Sequence, residues 1–274
     1  MVTAHEPPDP TSSVLAFFAS EVIRLRTRKG WSQDELAKRA HATQAAISYV
    51  ETTKRVPSDL LAQGLDIALE TDDLFMRLQP LVLRYAYPAW FLPYVELERE
   101  ARSMRVFESQ IIPGLLQTED YARALLASNR PDSMDDAIAA RMSRQSLLDG
   151  EGDERPRAWF IVDEQVLRRQ IGGVEVWQAQ LERLLKEAQQ PRTVIQVIPE
   201  QTASHPGLQG PFTLLHLADT PEVLFVDGFA QGRLGLDPAE ISEADRAYDL
   251  LKAMALSPAA SGDLITGYLK GRKQ

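Results

Sequence analysis

Between Val14 and Lys29 apolar positions recur at helical spacing and predict a helix, with Gly30 suited to its C-terminal cap. Ser32 followed by Glu35 makes a capping box, so a second helix should begin at Gln33 and bury Leu36, Ala37 and Ala40. Residues 41–43 carry a tight turn, and Thr43 suits the N-cap of a third helix. In that helix Ala46, Ile47 and Val50 face inward, while Gln44, Ala45, Ser48 and Tyr49 are left outward near its first half. Pro57 punctuates the next loop, and Ser58 or Asp59 opens a helix running through Glu70. Leu74, Leu78, Leu81 and Val82 continue a helical stripe into an aromatic cluster of Tyr85, Tyr87, Trp90, Phe91 and Tyr94. Such a cluster suits an interdomain or dimer contact, because aromatics bury large areas.

The rest of the chain alternates irregularly. Helices are predicted at 94–104, 119–128, 134–149, 174–189 and 242–256. Strands are predicted at Arg157–Val162, Thr193–Ile198, Phe212–Leu217 and Val223–Val226, each short, rich in β-branched or aromatic residues and bounded by turn formers. This interleaving favours an α+β domain with one modest sheet. The whole is mainly α with a smaller β part, divided into a polar, disordered lead (1–13), a helical domain (14–75), a helical and aromatic linker (76–92) and an α+β domain (93–270).

The second and third helices have the design of a pair that enters the DNA major groove, an outward polar face on an apolar one. Gln44 is the expected base reader, since an amide can bond adenine bidentately. Gln33, Arg26, Lys54 and Arg55 are expected to position the DNA backbone. The net charge of −9 does not oppose this. Eight Lys or Arg against four acids between Glu21 and Arg55 make that segment +4 and leave the remainder at −13. An acidic remainder weakens nonspecific binding, or simply keeps the protein soluble. A single small reader rarely suffices, so a homodimer is expected, with recognition helices about 34 Å apart on a pseudo-palindrome of double-stranded DNA.

There is no cysteine, which excludes disulfides and thiolate chemistry. No apolar run approaches the ~18 residues of a membrane span, and the first residues lack a signal pattern, so a cytoplasmic protein is expected. His5, His41, His205 and His216 are the only histidines; no pair has metal-ligand spacing, and HExxH, GxSxG and glycine-rich phosphate loops are absent. No enzyme, cofactor or metal is expected. Gly172-Gly173 reads as a turn before a helix, and Pro113-Gly114 as a turn. Thr118 suits a helix cap, with Glu119 and Asp120 favourable to the helix dipole. Asp163-Glu164 should end a strand and start a short helix through Arg168-Arg169. The functional alternative is that Gln117, Asp163, Glu164 and Arg168 line a ligand or partner groove.

Residues 14–75 resemble the helix-turn-helix of the phage-repressor/Cro type, the XRE family. Leu25-Arg26, Gly30-Trp31-Ser32-Gln33, Glu35-Leu36-Ala37, Ile47-Ser48, Glu51 and Pro57-Ser58 carry the likeness. The resemblance implies five helices, with Gln33 on the DNA backbone and Thr43, Gln44, Ala45, Ser48 and Tyr49 facing DNA. His41-Ala42 departs from it, since family members often have Gly in that turn. Residues from about 95 to 268 resemble the DUF5753 family, through Ile112-Pro113-Gly114-Leu115-Leu116-Gln117-Thr118, Tyr121-Ala122, Asp163-Glu164, Leu167-Arg168-Arg169, Gly172-Gly173, Gln180-Leu181, Val197-Ile198-Pro199, Gly210-Pro211-Phe212 and Leu256-Ser257-Pro258. This implies a likeness to actinobacterial, Streptomyces-like regulators of development and antibiotic production, commonly encoded beside a small DUF397-family partner. Some such pairs behave like toxin and antitoxin. Two alternatives therefore stand beside a DNA-binding regulator. One is an antitoxin-like module that neutralises its partner. The other is a small-molecule-responsive repressor, which needs an apolar pocket in the second domain.

Overall fold

A computed structural model of the chain describes residues 8–128, 133–149, 155–218, 221–229 and 231–271. In chain order the helices are α1 (Val14–Arg28), α2 (Gln33–Arg39), α3 (Gln44–Glu51), α4 (Asp59–Leu69), α5 (Leu74–Ala86), α6 (Leu92–Glu100), α7 (Glu119–Ala127), α8 (Met134–Arg144), α9 (Glu164–Arg168), α10 (Val174–Glu187), α11 (Pro238–Met254) and α12 (Pro258–Leu269). The strands are β1 (Ser103–Glu108), β2 (Arg157–Asp163), β3 (Thr193–Ile198), β4 (Phe212–His216), β5 (Val223–Val226) and β6 (Arg233–Gly235). They divide into two compact units. Among the described residues, the first comprises 8–92 with 133–143, and the second the remainder.

The first unit is helical. Ser13 caps α1 by accepting from Ala16 N–H (3.1 Å), and Leu15, Phe18, Ala19, Val22 and Leu25 are buried along one side. Residues 1–7 of the expected disordered lead lie outside the described residues. Residues 8–13 instead form a turn, in which the Asp9 carboxylate accepts from Thr11 N–H (2.9 Å) and its hydroxyl (2.8 Å). The linker expected from 76 is likewise a correction. Its helical part belongs to α5, the fifth helix, which buries Phe75 and Val82 and sets the Phe75 ring 4.9 Å from Phe18. The buried Asp66 carboxylate anchors the start of α5, accepting from Phe75 N–H (2.9 Å) and Met76 N–H (2.8 Å).

α8, inside the span 93–270 that the sequence assigns to the second domain, groups with the first unit. Its Ser143 hydroxyl accepts from Val56 N–H (2.6 Å), and the Ala140 carbonyl accepts from the Tyr87 hydroxyl (2.6 Å). Ile138, Ala139 and Met142 bury its apolar side. The aromatic cluster therefore divides: Tyr87 packs in the first unit, while Tyr94 lies buried in the second with its ring 4.1 Å from Phe225.

The second unit is built on one six-stranded sheet in the order β3-β2-β1-β4-β5-β6. β3, β2 and β1 are parallel; β4, β5 and β6 follow antiparallel. Parallel neighbours need a crossover, and α9 with α10 supplies the one from β2 to β3. Phe107, Ile161, Ile198, Leu214, Leu224, Tyr248 and Leu251 form a buried cluster against one face. The unit is α+β, as expected. The helix expected over 94–104 stops at Glu100, and β1, absent from the sequence-based expectation, takes the middle of the sheet. β6 and α12 are likewise additions to that expectation, and the helix expected at 242 starts at Pro238, where Asp237 caps it.

Candidate nucleic-acid interface

α2 and α3 stand where the sequence predicts them. The Ser32 hydroxyl accepts from Glu35 N–H (3.2 Å), and the Glu35 carboxylate accepts from Ser32 N–H (2.7 Å). The Ser32 N–H, then its hydroxyl, holds the Glu35 carboxyl below the usual carboxylate range. A depressed carboxyl pKa contributes stability that is present above the unfolded value and lost as pH falls through the folded one. The Thr43 hydroxyl caps α3 by accepting from Ala46 N–H (3.1 Å).

The turn between the two helices is a Schellman motif. Ala42 N–H donates to the Ala37 carbonyl (2.9 Å), and His41 between them takes the left-handed conformation, φ 51°. The family's turn geometry is thus kept without its glycine. A side chain there costs about 1 kcal/mol relative to glycine. His41→Gly should therefore raise the stability to thermal unfolding by up to about 1 kcal/mol; a lower melting temperature would contradict the strain.

α3 buries Ile47 and Val50 and leaves Gln44, Ala45 and Tyr49 exposed, with Thr43 exposed before it and Ser48 half-buried. The Gln44 amide is held in place. It donates to Gln33 Oε1 (2.8 Å), and Gln33 Nε2 donates to Glu51 Oε2 (2.8 Å). Glu51 is buried at the end of α3 and receives both arms of Arg26, Nε at 2.5 Å and Nη2 at 2.9 Å. Arg26 Nη1 donates to the Trp31 carbonyl (2.7 Å). A continuous chain of hydrogen bonds therefore runs from α1 through α3 and α2 to the exposed Gln44.

This corrects the place of Arg26. Its guanidinium is engaged by Glu51 and Trp31, so it braces the motif from within. Glu51 is the residue at the centre of this network that sequence reasoning misses. Its signal is a carboxylate on the apolar side of α3, beside Val50. Trp31 is covered by two cations, Arg39 at 4.3 Å and Lys29 at 5.0 Å from the ring centroid. Arg55 lies over the Tyr49 ring (4.6 Å), whereas the Lys54 side chain is exposed.

The four residues considered for a second-domain groove do not share one place. Gln117 is buried, with Nε2 donating to the Ile112 carbonyl (2.7 Å). Asp163, Glu164 and Arg168 come together at the carboxyl end of β2. Asp163 accepts from Gln165 N–H (2.8 Å) and meets His205 Nε2 (3.1 Å). Buried Glu164 accepts from Glu200 N–H (2.9 Å) and the Tyr268 hydroxyl (2.7 Å). Arg168 pairs with Glu200 through both arms. These contacts tie α9, α12 and the loop after β3 to one another.

A family model described as helix-turn-helix matches residues 22–72, across the capped α2–α3 pair, so the first unit is a helix-turn-helix domain of the XRE type and the protein is a DNA-binding transcription regulator. A second, described as a domain of unknown function (DUF5753), matches residues 91–267. The chain belongs to the DUF5753 family. Neither the curated proteins nor the solved structures yield a match. No helix among the described residues is long and apolar enough to cross a membrane.

Proposed function

We propose that the protein is a sequence-specific regulator that lays α3 in the major groove and reads adenine through Gln44. The observation that carries this is the hydrogen-bond chain Arg26–Glu51–Gln33–Gln44, which orients an exposed amide in advance of binding. Preorganised donors bind with less ordering cost. Thr43, Ala45, Ser48 and Tyr49 complete the DNA-facing surface; Gln33, Lys54 and Arg55 contact the backbone. Two copies bind a pseudo-palindrome. Support for a homodimer is apolar side chains left exposed in the first unit, Leu60 (80 %) and Ile67 (67 %) on α4 and Tyr85 (72 %) on α5. The second unit binds a signal or a small partner of the DUF397 kind, and the regulated processes are development or secondary metabolism; this part of the reading rests on the resemblance to actinobacterial regulators alone. Gln117, Asp163, Glu164 and Arg168 act in that unit as fold-holding residues.

Fluorescence anisotropy on the DNA upstream of the protein's own gene, against a scrambled duplex at matched salt, tests the reader. Gln44→Ala should weaken specific binding by about 1–3 kcal/mol and spare nonspecific binding. Lys54→Ala should weaken both duplexes alike and reduce the salt slope by about 1. Equal loss on both duplexes for Gln44→Ala would remove it from base readout.

A further inference from the structure

The second unit contains a hollow of about 1290 Å³ at the amino ends of its parallel strands. Arginines line it from three adjacent strands: Arg102 just before β1, Arg157 at the head of β2 and Arg192 just before β3. The pairing brings them to the same end of adjacent strands: Ala158 lies opposite Thr193, so Arg157 lies opposite Arg192, and Arg102 immediately precedes Ser103, which lies opposite Arg157. Arg157 N–H donates to the Arg102 carbonyl (3.0 Å), and Ala158 N–H to the Arg192 carbonyl (2.9 Å). Adjacent strands run about 4.8 Å apart, and like charges placed across such a gap repel.

Arg99 of α6 adds a fourth guanidinium to the wall. The side chains of Arg99, Arg102 and Arg157 make no hydrogen bond or ion pair among the described residues. Two acids reach the hollow. Glu222 is tied to Arg105 (2.9 and 3.0 Å), and Glu100 is exposed. Leu97, Leu217, Val223, Leu234 and Leu236 supply an apolar portion of the wall. Arg99, Arg102 and Arg157, with no ion pair among the described residues, leave positive charge in the hollow that an anion can neutralise. A concave wall that is partly apolar and partly cationic selects a ligand with both characters.

We propose that this hollow binds a small organic phosphate, with the phosphoryl group on the arginines and the carbon body against the leucines. Guanidinium forks match phosphate oxygens with paired N–H donors. A phosphoryl dianion neutralises two of the facing cations, where a single carboxylate neutralises one. The proposal deepens the reading of the second unit as the signal-binding part, and rests on it only for what binding does to DNA affinity.

Isothermal titration calorimetry of the full chain with 1-naphthyl phosphate tests it. Saturable binding is expected, weakened at least about tenfold by the double change Arg102→Ala and Arg157→Ala. Inorganic phosphate and 1-naphthol should each bind at least about tenfold more weakly than the whole molecule. Both arginines are exposed, so the double variant should keep the parent's melting temperature, which a thermal melt checks. The corresponding double lysine variant should retain part of the affinity. No saturable binding, or equal binding by the double alanine variant, would overturn the proposal. So would a pentaglutamate peptide binding in place of the phosphate, since the hollow would then dock protein. DNA anisotropy of the same variants is read separately, so a failure of DNA recognition leaves the test of the hollow intact.

Discussion

Glu51→Ala should lower the stability of the first unit by about 3 kcal/mol and weaken the discrimination for adenine on DNA. Removing one member of a buried ion pair costs about 3–5 kcal/mol, because the remaining charge stays desolvated. The lower end applies here, since the Arg26 side chain keeps 17 % of its surface in water. A loss of that size is large against a total of about 5–15 kcal/mol. The effect on DNA has a separate origin. Without Glu51 the Gln33 amide loses its acceptor, and Gln44 loses the fixed partner that aims it. Glu51→Gln keeps an acceptor for Gln33 but not the charge, so it should fall between the wild type and alanine in both assays. Urea unfolding followed by circular dichroism, with anisotropy under conditions where each variant is folded, separates the two effects. An unchanged unfolding midpoint would show that the pair does not hold the motif.

Gly64→Ala should be as damaging, against the usual expectation. In a helix interior alanine is better than glycine by about 1 kcal/mol. At Gly64, however, a Cβ would sit 2.2 Å from the Ala40 carbonyl oxygen and 3.1 Å from its carbon. Those atoms are backbone at the end of α2, directly before the His41 turn, so no side chain can move aside. α4 must shift away from α2, which should cost about 3 kcal/mol or more. Gly262 in α12 is the control, since a methyl group added there would meet no atom within 4 Å. Gly262→Ala should stabilise by about 0.5–1 kcal/mol. Opposite signs in thermal melts of the two variants are the expected result; two stabilised variants would refute the close approach of α2 and α4.

The first unit is legible in the sequence because its signals are local. Ser32 with Glu35, Thr43, and the inward Ile47 and Val50 lie within one or two turns of what they cap or bury. Arg26 is misplaced by sequence reasoning for the opposite reason: its partner Glu51 is 25 residues away, and an arginine near a DNA reader looks the same whether it faces phosphate or a carboxylate. β1 is hidden by Arg105, a charge in a central strand, which Glu222 and Asp245 satisfy from distant parts of the chain. α12 is hidden by Gly262 and Gly267, which weaken helix propensity, although Ser257 and Pro258 mark its start. The arginine row cannot be read from the sequence at all, because it exists only through the register of three strands.

The most direct test of base reading by α3 is selection of binding sites by the full-length protein from random duplexes at fixed salt, run in parallel for the wild type and Gln44→Ala. The wild type should enrich a pseudo-palindrome with its half-sites about one helical turn apart. Gln44→Ala should lose the preference for adenine at one symmetry-related position while keeping the rest. Failure to enrich any sequence, or the same enriched sequence for both proteins, would contradict a reader built on Gln44.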